Sequence, residues 1–404
     1  MTHRKRILFI AEAVTLAHVA RPYALARGLD AADWEIVFAC ADTYLALFPD
    51  WPWQRVDLQS IAPQVFMRRL AQGHRLYPRE TLEQYAREDL RLIDTLRPDV
   101  IVGDFRLSLS ATARAARVPY VALTNAYWSP YATRRRIPVP SLPMTRALGV
   151  PLASALFTLS RPLAFAWHTL PLNSLRREYG QPSLGFDLRR AYTDADITLY
   201  ADIPQLVPTS GLPAHHRYIG PVEWSPPIPM PELPRQQTAD KPFVYVTMGS
   251  SGSATLLPTI LSALSGLDCQ IAVATGGIRI HDAPANAIVA DYLPGDRMAD
   301  CARLVICNGG SPTSHQALAR GVPVLGIPSN LDQHLNMEYV TAYGAGLSLR
   351  PESATVQRLQ EAIRTLLHAP EYRRRAGDLA NIMREQNPAG ALAGTITEIL
   401  ELHS

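Results

Sequence analysis

Between Val305 and Asn336 the chain reads VICNGGSPTSHQALARGVPVLGIPSNLDQHLN. Gly309 and Gly310 follow an apolar run and open onto Ser311, Pro312 and Thr313. Glycine backbone turns tightly and lets a ligand come close. Ser311 suits an N-cap and Pro312 the first helical position, and Thr313 with Gln316 has capping-box spacing. Gly321 then closes a short helix. Such an entrance presents unpaired amides and the positive end of a helix dipole, which together favour an anion. A plain capped helix after a strand would use the same residues, so the Gly-Gly turn alone decides nothing. A carboxylate–amide pair, Asp332 and Gln333, follows within the same span. A phosphate-bearing sugar is a ligand that would call for all three features.

The elements that must position these groups are legible as two series of short apolar runs. The first is RILFIAE, WEIVFACA, DVIVGDF, PYVALTNA, ITLYAD and RYIGPVE; the second is FVYVTMGS, QIAVATGG, AIVADYLP, RLVICNGG and PVLGIPS. Runs rich in Val and Ile, separated by amphipathic stretches such as RETLEQYAREDLRLIDTLR, indicate parallel sheets covered on both faces. The segment PVEWSPPIPMPELPRQQTADKP is crowded with proline and lacks periodicity, so it reads as a stiff linker. The α/β chain therefore divides into a Rossmann-like, doubly wound domain over 1–220, a linker over 221–240 and a second such domain over 241–386. A helix over 387–404 is expected to return to the first domain. Ligands in such sheets bind beyond the carboxyl ends of the strands.

A length of 404 residues is too great for one comfortable core, in agreement with two domains. The composition, 47% hydrophobic and 19% charged, is that of a soluble globular protein. A net charge of +3 with interleaved signs gives no footprint for nucleic acid. Cys40, Cys269, Cys301 and Cys307 have no zinc or redox spacing and read as buried thiols in a reducing cytoplasm. The basic and then apolar start MTHRKRILFIAEAV is broken by Glu12 and reads as a first strand rather than a signal peptide. Residues 147–172 are strongly apolar but carry Arg161 and three prolines. They read as helices lining a core or cleft rather than a transmembrane span, and peripheral membrane contact stays open.

The stretch NGGSPTSHQALARGVPVLGIPSNLDQHLNMEYVTAYGAG, with VTMGSS, ADYLPGDRMA and AHVARPYALARGL, resembles the signature of the GT-B, UDP-glycosyltransferase-like superfamily, which includes natural-product and macrolide glycosyltransferases. The pattern there is His-Gly-Gly-x-Gly-Thr, Glu-Ala-Leu, Gly-Val-Pro, Pro-x-x-x-Asp-Gln-x-x-Asn and Gly-x-Gly. The resemblance spans both domains. It implies two domains facing a cleft, with an inverting transferase that binds a nucleotide sugar on the C-terminal domain and an acceptor on the N-terminal one. By position, Gly309, Gly310, Ser311 and Thr313 would form the diphosphate loop, and Asp332 and Gln333 would bind sugar hydroxyls. Tyr292 would stack on the base, and Gly249 and Ser250 would approach the nucleotide. Asn308, Pro312 and Gln316 replace the family's His, Gly and ribose-binding Glu, which puts the choice between UDP- and dTDP-sugars in question.

His18, in the loop after the first strand, and Asp104, ending DVIVGD, match the family's general-base positions. The imidazole would take the acceptor hydroxyl's proton while the carboxylate fixes its tautomer. Leaving-group charge would fall to the helix entrance, with neither a metal nor another cofactor. Asp194 and Asp196 in TDAD mimic a metal motif but read as a turn before a strand. GSSGSATLL lacks the Gly-Lys-Ser/Thr ending of a P-loop. Asn125, Tyr127 and Trp128, with Tyr131, would border a small hydrophobic or aromatic acceptor, although core aromatics look the same. Arg134–Arg136 could meet an anionic group, although such a run also reads as a solvated loop. Two rivals stand beside this reading: an epimerase on the same fold and a non-catalytic nucleotide-sugar-binding protein.

Overall fold

The computed structural model describes residues 4–134, 136–231, 241–252, 254–280 and 283–403. Residues 232–240 of the linker and Arg135 of the arginine run lie outside them. The chain forms two compact units. Unit 1 is Met1–Arg135, Ala155–Val222 and Gln386–Ser404; unit 2 is Arg136–Ser154 and Glu223–Glu385.

Unit 1 carries β1 (Lys5–Ala11), β2 (Trp34–Cys40), β3 (Gln54–Val56), β4 (Val100–Asp104), β5 (Tyr120–Thr124), β6 (Ile197–Tyr200) and β7 (His216–Tyr218). They form one parallel sheet in the order β3-β2-β1-β4-β5-β6-β7. Every residue of β4 and β5 is buried, as unbroken Val/Ile/Leu runs require when helices cover both faces. The helix Arg79–Leu96 buries Leu82, Tyr85, Ala86, Asp89, Ile93 and Leu96, one face of a 3.6-residue repeat. Ile93 and Leu96 join Leu8, Ile10, Val37 and Ile101 in the core on that side of the sheet.

Unit 2 repeats the plan with β8 (Phe243–Thr247), β9 (Gln270–Ala274), β10 (Ala287–Ala290), β11 (Leu304–Cys307), β12 (Val324–Gly326) and β13 (Gly346–Ser348). Its parallel sheet runs β10-β9-β8-β11-β12-β13. Val244, Val246, Ile271, Leu304 and Ile306 pack on Ile260, Leu264, Leu359 and Ile363 from two helices. Burying each such side chain contributes roughly 1.5–3 kcal/mol. In both sheets the chain order reverses direction between two central neighbours, β1/β4 and β8/β11. A crevice opens at the carboxyl ends of such pairs.

Four sequence expectations change. β3 and β13 were missed because each is a three-residue edge strand, too short to show periodicity. Arg136–Ser154 belongs to unit 2 rather than the first domain. Ser141 N donates to Ser329 O (2.8 Å), Arg350 Nη1 donates to Val139 O (2.7 Å), and Thr145 Oγ1 donates to Glu352 (2.6 Å). Residues 147–172 fall in one long helix, Pro143–Glu178, broken at Gly149, and much of its apolar surface is exposed rather than lining a core. Cys301 is exposed, whereas the other three cysteines are buried. The C-terminal helix Pro388–His403 lies in unit 1, where Glu398 pairs with Arg217 (2.5 Å).

Candidate active site

In unit 1 the register sets Ala11 at the end of β1 beside Asp104 at the end of β4. The helix Leu16–Arg27 starts just beyond β1, and its first turns place His18 and Arg21 three residues apart on one face. Both reach Asp104, which is fully buried. His18 Nδ1 lies 2.8 Å from Asp104 Oδ1. Arg21 Nε donates to Oδ2 (2.7 Å) and Arg21 Nη2 to Oδ1 (2.9 Å). Burial alone would push the Asp104 carboxyl up, but the Arg21 charge and the His18 contact outweigh it and hold it below the usual carboxylate range. An ionised Asp104 only accepts, so the hydrogen between them belongs to His18 Nδ1, and in the neutral imidazole that tautomer has its lone pair on Nε2. The imidazole also stacks on Phe105 (4.6 Å, 6° between planes). Phe105 holds a left-handed φ of 60°, uncommon for a bulky residue and found where surrounding structure enforces it.

That enforcement comes from the next residue. Arg106 is buried and donates to Glu12 (3.0 Å), Asp89 (3.0 Å) and Glu88 (3.0 Å), with Tyr85 under its guanidinium (3.6 Å). Glu12 follows β1 and Asp89 lies in the helix Arg79–Leu96, so the cluster pins the segment leaving β4 to two other elements. Neither Arg21 nor Arg106 was singled out from sequence. The one local signal was the three-residue step from His18 to Arg21.

The acceptor residues are placed differently from expectation. Asn125 is buried: Oδ1 accepts from Arg21 Nη1 (2.8 Å) and Nδ2 donates to Asp202 Oδ2 (3.0 Å). It therefore braces Arg21 rather than forming an open wall. Tyr127 is 3% exposed and belongs to the core. Trp128 is half-buried, edge-on to Tyr192 (4.8 Å). Tyr131 is half-buried against His216 (5.4 Å). Arg134 and Arg136 are exposed.

In unit 2 the expected donor residues gather where β8 and β11 end. Gly249 and Ser250 turn away from β8 and are exposed, while Asn308 follows β11 and is buried. Asn308 Nδ2 donates to Ser251 Oγ (3.3 Å), joining the two strand ends, and its Oδ1 accepts from Gly310 N (2.9 Å). Gly309 N points at Cys307 Sγ (3.3 Å). Gly309 has φ 79°, and a Cβ there would stand 2.6 Å from Met337. The helix Ser311–Ala319 has Gly310, not Ser311, as its N-cap, and no side chain caps it. Two expectations are thereby corrected: Thr313 and Gln316 form no capping box, and the Gly310 amide is already used by Asn308. Donors at this entrance come from the first helical turn, where Ser311 and Thr313 sit and Pro312 supplies no N–H.

Gln316 faces another way than a cap would. Its Nε2 donates to Trp224 O (2.6 Å) and Ser225 Oγ (3.1 Å), and Ser225 Oγ also accepts from Asp296 N (3.0 Å). Trp224 and Ser225, read as linker, thus tie Gln316 to the loop after β10 that carries Tyr292. A Cβ on Gly295, which starts the helix after that loop, would stand 2.8 Å from Gln316 Oε1. Tyr292 itself is 43% exposed.

Gln333 is held by bonds within the chain. It is 1% exposed and forms a capping box with Asn330 at the start of the helix Leu331–Tyr343. Its oxygen accepts from Ser329 N (2.9 Å) and its nitrogen donates to Ser251 O (3.2 Å). These bonds brace the loops that carry Ser251 and Ser329. Asp332, half-buried in the same first turn, stands closer to solvent. Asn336, missed from sequence, donates to Gly309 O (2.8 Å) and Ser314 Oγ (2.8 Å) and fixes the glycine turn from below.

Asp194 pairs with Arg114 (2.5 Å) and Arg176 (2.7 Å), and Asp196 accepts from Tyr120 N (2.9 Å). Among the described residues no three His, Cys, Asp or Glu side chains group to hold a metal ion.

Each unit thus concentrates its polar side chains at the switch point of its own sheet. Residues 258–399 match the family described as erythromycin biosynthesis protein CIII-like, C-terminal domain. Over 381 residues the chain is 48% identical to a PGL/p-HBAD biosynthesis glycosyltransferase of Mycobacterium tuberculosis (strain ATCC 25177 / H37Ra), covering 94% of this chain and 89% of that one. The chain belongs to this glycosyltransferase family, within the GT-B, UDP-glycosyltransferase-like superfamily. This glycosyltransferase is also 49% identical over 379 residues to a PGL/p-HBAD biosynthesis rhamnosyltransferase of Mycobacterium bovis (strain BCG / Pasteur 1173P2), covering 94% of this chain and 84% of the relative. Its fold is that of spinosyn rhamnosyltransferase SpnG complexed with spinosyn aglycone: TM-score 0.72 and 18% identity, over 97% of this chain and 100% of that one. The glycosyltransferase takes its sugar from a nucleotide-sugar donor.

Proposed function

We propose that this glycosyltransferase moves a hexose or deoxyhexose, rhamnose foremost, from a dTDP- or UDP-sugar to a hydroxyl of a small hydrophobic or aromatic acceptor, with inversion and without a metal. The observation that carries this reading is the His18 Nδ1 contact to buried, ionised Asp104 (2.8 Å). With that tautomer fixed, His18 Nε2 removes the acceptor proton as the oxygen attacks the anomeric carbon. Asp104 steadies the imidazolium that results. The bond to the nucleotide diphosphate breaks on the opposite face of the sugar, and first-turn amides of the helix Ser311–Ala319 receive the leaving charge. Asp332 accepts from a sugar hydroxyl, and Tyr292 offers a ring face to the base. The rhamnose preference rests on the rhamnosyltransferase relative, and the place of dTDP-sugars beside UDP-sugars on Gln316 and on SpnG, which is also solved with thymidine diphosphate.

The test is incubation with dTDP-rhamnose or UDP-glucose and a panel of phenols, followed by NMR of the product's anomeric centre. Inverted configuration supports the reading. Retained configuration would overturn the single displacement. Donor rearranged or hydrolysed at the same rate with no acceptor present would favour an epimerase-type reaction.

A further inference from the structure

The helix Pro143–Glu178 displays an apolar stripe that the protein leaves uncovered. Within unit 1, Leu156, Leu159, Leu163, Trp167 and Leu170 follow one another at steps of three and four residues, which places them on one helical face. All are exposed, Leu159 by 78% and Leu163 by 76%. The opposite face carries Phe157, Phe165, Thr169 and Leu172, which are buried. By length and composition the helix could cross a membrane. A helix with one face packed on its own protein and the other bare instead lies along an interface.

The charges beside the stripe say what it faces. From Phe105 to Arg177 the chain has no Asp or Glu, and neither does Pro63–Pro78, which carries Arg68, Arg69, His74 and Arg75. Arg75 sits over the Trp167 ring (4.6 Å) and donates through Nε to Trp167 O (2.9 Å). Arg68 and His74 are exposed nearby in sequence. A bare leucine face with an aromatic anchor and arginine at one end, where the helix's own Glu178 is neutralised by Arg79, complements apolar chains beneath anionic headgroups. A second copy of the same stripe would bring arginine to arginine, with Glu83 and Glu178 already held by Arg79.

We propose that this face of the helix docks on an anionic phospholipid bilayer and holds the enzyme in the plane of the membrane. Leucine and Trp167 side chains enter the acyl boundary while Arg75 meets lipid phosphates. This surface is separate from the catalytic assignment and stands or falls without it.

The experiment is co-sedimentation of the full chain with vesicles of phosphatidylcholine alone or of equal parts phosphatidylcholine and phosphatidylglycerol, at low and high salt. Wild type is expected to partition to the anionic vesicles, less so at high salt. Leu159→Ser/Leu163→Ser should lower that partitioning on the order of tenfold with an unchanged thermal midpoint, because both sites are exposed. Arg75→Gln should weaken binding to anionic vesicles and leave any neutral-vesicle binding unaltered. Wild type remaining in the supernatant, or the double variant binding as well as wild type, would overturn the proposal. So would a wild-type dimer, seen by light scattering, that the double variant abolishes, since the stripe's occupant would then be a second copy.

Discussion

Arg21 lays its guanidinium fork across both oxygens of Asp104, Nε to Oδ2 at 2.7 Å and Nη2 to Oδ1 at 2.9 Å, at a carboxylate with no solvent exposure. This pairing, more than the His18 contact, keeps Asp104 ionised in a dry site, and Asn125 braces it from the far side (2.8 Å). The fork therefore sets the charge that orients His18. A buried carboxylate losing its partner costs about 3–5 kcal/mol.

Arg21→Met should accordingly lower the stability of the protein by about that amount at neutral pH. Adding Asp104→Asn should restore part of the loss, because the unpaired charge is gone. Urea unfolding of the wild type, both single variants and the double variant measures this coupling. Additive effects would mean that the pair is not a unit.

His18→Ala should reduce transfer by ~10²–10⁴-fold while nucleotide affinity stays the same. Steady-state rates and calorimetric titration with dTDP separate the two quantities. Full activity in this variant would remove the general-base assignment.

Transfer in excess EDTA should proceed at close to the untreated rate, since leaving-group charge is assigned to helix amides. Loss of activity with recovery on adding magnesium or manganese would assign that charge to a metal instead.

Gln316 uses its amide nitrogen on Trp224 O (2.6 Å) and Ser225 Oγ (3.1 Å), so what it offers a ribose is one neutral acceptor oxygen. Wild type should then bind dTDP and UDP within about tenfold of each other, the equivalent of ~1.4 kcal/mol. Calorimetry with both nucleotides is the measurement. A hundredfold preference for UDP would mean that another residue reads the 2′-hydroxyl. Gln316→Glu would set a carboxylate against the Trp224 carbonyl and should cost about 1–3 kcal/mol of stability, visible in the thermal midpoint.

His334 is 5% exposed in the helix Leu331–Tyr343, and among the described residues its buried Nε2 meets no hydrogen-bond partner. Burial, helped by the Arg350 charge and opposed by Glu352, pushes its imidazole down to about 3. The folded chain thus keeps His334 neutral while the unfolded chain protonates it below about 6.5. Unfolding then takes up a proton, so stability falls as pH drops from about 6.5 towards 3, by up to about 1.4 kcal/mol per unit from this group. Glu352 acts lower, being held at about 2 by Thr145 and Arg350 against its own desolvation, so its contribution is lost only below about 4.5. Comparing urea midpoints of wild type and His334→Gln at pH 7.5 and 5.5 isolates the histidine. The variant should show the flatter dependence.

Much of the fold could be read from the chain because its signals are local. Unbroken apolar runs mark β4, β5, β8 and β11, and the Arg79–Leu96 repeat marks its helix, since side-chain spacing alone reports which faces are buried. Glycine turns and strand ends likewise marked where ligand chemistry would gather. The sequence by itself thus determined two parallel sheets and set Asp104 and Asn308 at strand ends, whereas His18, expected in a loop, lies in the helix Leu16–Arg27.

The partners of each polar side chain were decided only by the tertiary structure. Arg21 meets Asp104 from 83 residues away, Gln316 meets Trp224 from 92 away, and Gln333 meets Ser251 from 82 away. No periodicity encodes such pairs, because sheet register and helix placement set them after the chain has closed on itself. That is why the bonds that Gln333 and Asn125 make within the chain were not foreseen, and why Arg21 and Asn336 passed unnoticed. The leucine stripe shows the same limit: its spacing was present in the sequence, but whether it faced core or solvent depended on what the fold packed against it.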